Sequence, residues 1–321
     1  MKQLFLLKAL LAISFSLMAG GPAKTYKNPV VNYSLPDPTV IKGEDGYFYL
    51  YATEDIRNLP IHRSKDLVNW ESVGTAFTPE TRPTFESKGN LWAPDINKIG
   101  HKYVLYYSMS RWGSEWTCGI GVAASDKPEG PFKDHGMMFR SNEIGVQNSI
   151  DPFYIEDGGK KYMFWGSFRG IWAIELADDG LSLKPGAGKR KIAGDQYEGT
   201  YIHKRDGYYY LIVSTGDFMK DYHVVVGRSR SLMGPYVDRA GRDMLGVHHE
   251  LVVGNGNGFV APGHNAEFVT DDKGQDWMLY HTRLEVGGPR YLILDRIEWN
   301  DGWPEVRGHV PARSAEAPVF E

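Results

Sequence analysis

The chain has 321 residues and a formal net charge of −4 at pH 7, which argues against nucleic acid or an anionic membrane surface as a partner, because both select basic proteins. Aromatic residues make up 13 % of the chain, with 9 Trp and 19 Tyr, enough both for buried sheets and for a sugar-binding cleft. The one cysteine, Cys118, excludes an intrachain disulfide and is expected to be a small core residue.

The N-terminal segment has the pattern of a secretory signal peptide. Lys2 and Lys8 precede an apolar run from Ala9 to Ala19, and Gly-Gly-Pro follows. Such a run is too short for a convincing membrane span but suits the core of a signal peptide. The sequence therefore predicts a signal peptide over residues 1–23, an exported protein in the periplasm or outside the cell, and no membrane span. The alternative is a buried N-terminal helix.

Five segments share a pattern of a polar residue, a short strand, a turn with Gly or Asp, and an aromatic strand, which is typical of hairpins. A second hairpin signal follows most of them, as in IHRSKDLVNWESVG and GRSRSLMGPYVDRAG. Five units of about four antiparallel strands, at a period of roughly 50 residues, predict an all-β fold, a five-bladed β-propeller. It would form a single catalytic domain over residues 24–321. The alternative is a β-sandwich, and the Pro-rich end from Pro311 is either an irregular tail or part of the ring closure.

The polar residues that start the five segments are expected to meet in one place, because the innermost strand of every propeller blade lies beside the central axis. Like charges packed together cost free energy and shift pKa values, so such a ring predicts a binding or catalytic site. Two carboxyl groups in a cleft can hydrolyse a glycosidic bond, one as acid and one as base, while a third raises the pKa of the acid. The five residues are Asp37, Asp95, Asp151, Glu198 and His264.

Three motifs resemble those of glycoside hydrolase family 43, whose members are inverting five-bladed propeller enzymes acting on arabinan and xylan: LPDPTVI, SIDPFYI and EGTYIHKRDGYYYL. The resemblance implies that Asp37 is the general base and Glu198 the general acid. It implies that Asp151 tunes the pKa of the acid and orients it. It also implies that His264 lies near the axis, where arabinan-cleaving members often hold a structural cation, commonly calcium, through His and water. No cofactor is implied for the chemistry itself.

Two other classes of propeller are less well supported. Retaining propellers of the invertase type expect Asn-Asp-Pro, Arg-Asp-Pro and Glu-Cys in these three motifs, and the contexts of Asp37, Asp151 and Glu198 have none of them. A non-catalytic sugar-binding propeller would not need all three acids, so their presence favours an enzyme.

The substrate is expected to be a plant polysaccharide or oligosaccharide, bound by a monomer. Aromatic residues near loops predict the sugar platforms, and Asp95 is expected to contact substrate beside them. The stretches SMSRWGSEWTCGIGVAAS and GSFRGIWAIEL resemble arabinan-cleaving members, which favours an endo-1,5-α-L-arabinosidase. An exo-acting α-L-arabinofuranosidase and a β-xylosidase are the alternatives, since an open groove favours endo action and a closed pocket exo action. The candidate platforms are Trp92, Trp112, Trp116 and Phe168, and the candidate hydroxyl-binding residues are Arg283, Arg290 and Arg296.

Overall fold

The computed structural model describes residues 24–321, so the predicted signal peptide lies outside the described residues. Within them, five antiparallel sheets follow one another along the chain, and the strands of each sheet pair largely in sequence order. This arrangement confirms the predicted all-β fold, a five-bladed β-propeller, over the β-sandwich. No helix within residues 24–321 is long and apolar enough to cross a membrane.

The strands are numbered in chain order, and β1 (Thr25–Lys27) precedes the blades. Blade 1 contains β2 (Thr39–Lys42), β3 (Phe48–Tyr51), β4 (Pro60–Ser64) and β5 (Glu71–Thr75). Blade 2 contains β6 (Asn90–Ile99), β7 (Lys102–Ser110), β8 (Gly119–Ser125) and β9 (Lys133–Arg140), followed by the short helix α1 (Ser141–Ile144). Blade 3 contains β10 (Phe153–Asp157), β11 (Lys160–Trp165), β12 (Ile171–Glu175) and β13 (Arg190–Ala193).

The last two blades complete the ring. Blade 4 contains β14 (Glu198–Arg205), β15 (Tyr208–Thr215), β16 (His223–Ser229) and β17 (Glu250–Val253). Blade 5 contains β18 (Val260–Gly263), β19 (Val269–Thr270), β20 (Asp276–Arg283), β21 (Tyr291–Asn300) and β22 (Trp303–Val306), where β18 and β19 both pair with β20. A 3₁₀ turn (Arg307–His309) and β23 (Ser314–Glu316) follow.

In four of the five blades the second strand is buried along nearly its whole length, because each blade packs face to face against two neighbours. The strands β15 (YYYLIVST) and β20 (DWMLYHTR) have no exposed residue. Aromatic and β-branched side chains suit such a pleated, buried surface, which explains the apolar and aromatic runs in the sequence. Among the described residues, the apolar side chains form four clusters that fill the spaces between the blades.

The two ends of the described chain close the ring together. The strand β1 pairs antiparallel with β23, so that Tyr26 lies opposite Ala315. The Tyr26 hydroxyl donates a hydrogen bond to the carbonyl of Leu294 in blade 5 at 2.6 Å. The Asn28 side chain bonds both the amide and the carbonyl of Leu294, and it reaches the carbonyl of Ala312 at 2.9 Å. The segment after Pro311 is therefore part of the ring closure.

Candidate active site

A cavity of about 550 Å³ opens at one end of the central channel, and all five blades contribute side chains to it. Such a volume lies within the range of small-molecule sites. The cavity brings together Asp37 of blade 1, Asp151 of blade 3 and Glu198 of blade 4, as the repeat predicts. The other sequence-predicted residues that line it are Trp92, Trp112, Phe168, His264, Arg283 and Arg290.

Each blade places one residue with a positive φ, between 36° and 65°, in its innermost segment: Asp37, Ala93, Asp151, Gly199 and His264. For a residue other than glycine this conformation costs about 1–3 kcal/mol, so the surrounding fold has to hold it. In four of the five cases, a side chain of the preceding blade accepts a hydrogen bond from the amide of this residue. The acceptors are Thr53 Oγ1 for Ala93 (2.7 Å), Ser108 Oγ for Asp151 (2.8 Å), Ser214 Oγ for His264 (2.8 Å) and His281 Nδ1 for Asp37 (3.2 Å).

Gly199 needs its small size as well as its conformation. A Cβ atom at this position would lie 3.1 Å from the His264 ring, which is closer than side chains normally approach. The glycine therefore allows blades 4 and 5 to meet at the axis, and Glu198 directly before it enters the cavity.

Asp95 does not line the cavity, so the expectation that it contacts substrate is wrong. Ala93 holds the equivalent position in blade 2, and Asp95 lies two residues further along, opposite Tyr106 in the sheet. The Asp95 carboxylate accepts hydrogen bonds from the amide of Tyr154 at 2.7 Å and from Asn97 Nδ2 at 2.8 Å. Burial, and then the neighbouring Glu267 carboxyl, raise the pKa of Asp95 well above its usual range.

Asp37 is held in its ionised form. Burial opposes its charge, but Arg290, followed by His264 and His281, holds the pKa of Asp37 well below the usual range. Arg290 Nη1 donates to both carboxylate oxygens at 3.1 and 3.0 Å. Burial lowers the pKa of His264, and that of His281 to about 4, so both imidazoles are mostly neutral near pH 7. Arg290 therefore supplies the main permanent positive charge beside Asp37.

Glu198 lies in the opposite electrostatic setting. Burial raises the pKa of its carboxyl above the usual value, and the charge on Asp37 adds to the rise. Two donors work against that rise: Ser167 Oγ contacts Oε2 at 2.6 Å, and the Tyr222 hydroxyl contacts Oε1 at 2.6 Å. Both carboxylate oxygens are thus fixed in position.

Asp151 is coupled to Glu198. Burial raises the pKa of Asp151 well above its usual range, and the charges on Glu198 and Asp37 raise it further. Since the pKa of Glu198 is raised as well, the two carboxyls titrate as a pair, and the pair retains a proton more readily than an isolated carboxyl would. The site therefore combines one strongly acidic carboxyl with a pair that holds on to a proton.

Three residues that contact the carboxyls of Glu198 or Asp37 were missed in the sequence, because they lie in or beside buried strands and are indistinguishable from core residues. They are Ser167, Tyr222 and His281. A usable signal exists for His281 alone. In the repeat His281 matches Thr53, Ser108 and Ser214, which lie within the last three residues of the second strand of their blade or just after it.

Some of the aromatic and arginine candidates line the cavity, and others lie outside it. Trp92, Trp112 and Phe168 line the cavity, whereas Trp116 does not, so Trp116 is not a sugar platform within this cavity. Arg296 lies outside it as well and pairs with Glu298 at 2.7 Å.

The side chains around His264 do not by themselves supply the ligands of a calcium ion, so the cation that the resemblance implies would be held largely by water. Calcium takes about six to eight oxygen ligands, whereas His264 Nδ1 lies 3.5 Å from a carboxylate of Asp37 that Arg290 already neutralises. Within residues 24–321, no three His, Cys, Asp or Glu side chains converge to hold a metal ion. A cation held at the axis through His264 and water therefore stays a prediction.

Comparison with known proteins places this geometry in context. The family model described as Glycosyl hydrolases family 43 matches residues 26–304. Arabinan endo-1,5-alpha-L-arabinosidase C of Emericella nidulans is 32 % identical, over 92 % of this chain and 99 % of its own. The extracellular exo-alpha-(1->5)-L-arabinofuranosidase ArbA of Cellvibrio japonicus is 31 % identical, over 84 % of this chain and 85 % of its own. The structure of Cellvibrio cellulosa alpha-L-arabinanase complexed with arabinohexaose superposes with a TM-score of 0.77 and 30 % identity, over 87 % of this chain and 99 % of that one.

Proposed function

The chain belongs to glycosyl hydrolase family 43, and we propose that it hydrolyses α-1,5-linked L-arabinofuranosyl bonds within arabinan, with inversion at the anomeric carbon. The observation that carries this proposal is the opposite electrostatic setting of two carboxyls in one cavity. Asp37 is held ionised, while Glu198 belongs to a buried pair that retains a proton. Inverting hydrolysis needs this division between a base and an acid.

Asp37 acts as the general base. A carboxylate takes a proton from water as the water attacks the anomeric carbon. Arg290 keeps Asp37 ionised and fixes the orientation of its carboxylate through two contacts. In an inverting enzyme the base and the acid are separated by about 6.5–9.5 Å, so that the water fits between sugar and base, and blades 1 and 4 present the two groups from different parts of the ring.

Glu198 acts as the general acid and protonates the departing glycosidic oxygen. Asp151 tunes this step: while Asp151 is ionised, its charge opposes a second charge on Glu198 and keeps the shared proton there. Ser167 and Tyr222 point the Glu198 carboxyl into the cavity. After the reaction Asp37 releases to solvent the proton that it took from water, and Glu198 takes up a proton from solvent. The enzyme thus ends each turnover in its starting state.

Trp92, Trp112 and Phe168 bind the sugar rings, because aromatic faces pack well against the apolar faces of sugars. The choice of arabinan is supported by relatives named as arabinanases at about 30 % identity over most of the chain. Several of these relatives are named extracellular, which supports an exported protein, periplasmic or extracellular. We propose that the protein acts as a monomer.

The proposal is tested with purified protein on linear arabinan, branched arabinan, arabinoxylan and xylan, with Asp37→Asn and Glu198→Gln beside the wild type. We expect release of oligosaccharides from linear arabinan, with activity reduced by about 10³-fold or more in each variant, and unchanged circular dichroism. NMR of the first product would show the anomer opposite to that of the substrate. Activity that survives in both variants, or a retained anomer, would contradict the assignment.

A second candidate is exo-acting α-L-arabinofuranosidase activity, favoured by the similarity to ArbA. Release of arabinose alone from linear arabinan would select it.

A further inference from the structure

Two loops from separate parts of the ring meet above the catalytic carboxyls. Trp112 lies on the loop between β7 and β8 of blade 2, and Phe218 on the loop between β15 and β16 of blade 4. Their rings stack, with centroids 5.6 Å apart and planes 18° apart. The Trp92 ring lies 5.6 Å from that of Trp112. These three side chains (Trp92, Trp112 and Phe218) form a continuous arc, which we call the aromatic bridge.

The aromatic bridge crosses the mouth of the cavity, because blades 2 and 4 are not neighbours in the ring. Phe168 and Arg169 of blade 3, Asp55 of blade 1 and Arg290 of blade 5 all line the cavity. The order of the blades in the ring places blade 3 on one side of the arc and blades 5 and 1 on the other. Trp112 is 77 % exposed, so this end of the bridge lies on the solvent side of the cavity. A sugar chain that extends to both sides has to pass beneath the bridge or displace it.

Blade 5 fixes the Phe218 end of the bridge. The buried Arg283 donates from Nε to the carbonyl of Phe218 at 3.2 Å and also bonds the carbonyl of Gly288. The amide of Gly287 donates to the carbonyl of Met219 at 3.2 Å. The loop of blade 4 is therefore held by its neighbouring blade as well as by its own turn, and it forms a fixed support for the stacked ring.

We propose that the aromatic bridge sets the length of the products and that Phe218 is a specificity-determining residue, an inference that rests on the proposed hydrolysis of arabinan. With the bridge in place, the carboxyls reach bonds near a chain end, or bonds in a segment threaded beneath the rings, so the first products are short. Without the bridge the cavity becomes an open groove. Bonds far from chain ends then become accessible, and the first products are longer.

A double-mutant cycle separates a bridge from two independent sugar platforms. Trp112→Ala, Phe218→Ala and the double variant are given linear arabinan, and the products are sized by chromatography at early conversion. Each single substitution breaks the same bridge, so each raises the ratio of long to short oligosaccharides, by about threefold or more, and the double variant adds little. Two independent platforms would instead give effects that multiply, because their free energies add.

Trp116→Ala is the matched control, since Trp116 is an exposed Trp on the loop of Trp112 but lies outside the cavity; it keeps the wild-type product ratio. Phe218→Leu keeps apolar bulk without the stacked ring, so the same rise in the product ratio is expected for it as for Phe218→Ala. It replaces Phe218→Ala in the cycle if the alanine variant does not fold. Unchanged product ratios, or effects that multiply, would overturn the bridge. A wild-type protein that leaves every arabinan intact would overturn the proposed function instead, which keeps the two failures distinct.

Discussion

Replacing Tyr222 by Phe removes one hydroxyl from Glu198 and leaves the rest of the site in place. The hydroxyl donates to Glu198 Oε1 at 2.6 Å, and the Tyr222 ring stacks on His281 with centroids 5.9 Å apart. A Phe ring retains that stacking. The substitution therefore isolates the hydrogen bond, which stabilises the ionised form of Glu198 and so lowers its pKa.

The expected effect is an upward shift of the basic limb of the kcat/KM profile. That limb reports the loss of the essential acid proton from the free enzyme. A hydrogen bond to a charged group contributes about 1.5–3 kcal/mol, and about 1.4 kcal/mol corresponds to one pH unit. The partner Ser167 remains and compensates in part, so we expect the limb to move by about one pH unit toward higher pH.

The assay measures initial rates on a soluble arabino-oligosaccharide from acid to alkaline pH for both proteins. Tyr209→Phe is the control, because the Tyr209 hydroxyl bonds Asp157 at 2.7 Å and neither residue lines the cavity; its profile should match the wild type. A basic limb of Tyr222→Phe that stays in place, or moves to lower pH, would refute the reasoning that Glu198 is the acid and that Tyr222 stabilises its charge.

Three further predictions concern the charges near the axis and the ring closure. Arg290→Gln removes the lasting positive charge beside Asp37, so the acidic limb of the kcat/KM profile should move to higher pH and the rate at neutral pH should fall by about tenfold or more; an unmoved limb would speak against Asp37 as the base. Asp95 has a folded-state pKa above its unfolded value, so the stability it contributes is lost as pH rises through the folded pKa. Calorimetry of Asp95→Asn should therefore show a Tm above that of the wild type at pH 8, by roughly 2–4 °C, with a smaller difference toward pH 4, and a lower Tm at pH 8 would contradict this. Tyr26→Phe removes the hydrogen bond to blade 5 and should lower the free energy of unfolding in urea by about 1 kcal/mol, whereas an unchanged midpoint would mean that the bond is replaced by water.

The blades could be predicted from the sequence because each repeats two hairpins whose inner strands are rich in buried apolar and aromatic residues. The role of the segment from Pro311 in closing the ring could not be predicted. The pairing of Thr25 with Glu316 joins opposite ends of the described chain and leaves no local pattern in the sequence. Asp37 and Asp151 were found because each stands before a proline at the same place in its blade. The same rule applied to Ala93-Pro94 would have placed Asp95 outside the site.

The supporting residues of the site were harder to predict. Tyr222 and His281 are buried beside apolar strand residues, so their hydrogen-bonding roles become visible only when neighbouring blades are brought together. The contact between Trp112 and Phe218 is harder still, because it depends on two irregular loops whose paths the strand pattern does not determine.

The amide of Asp37 donates to His281, and this bond has a consequence for biosynthesis. Asp37 belongs to the first blade to leave the ribosome, and His281 and Arg290 belong to the last. The base therefore obtains its orientation and its compensating charge only after the end of the chain has docked on the beginning. A nascent or partly folded chain carries all three acids but not their arrangement, so hydrolysis starts with the completed molecule, and specific activity reports the fraction of chains whose ring is closed.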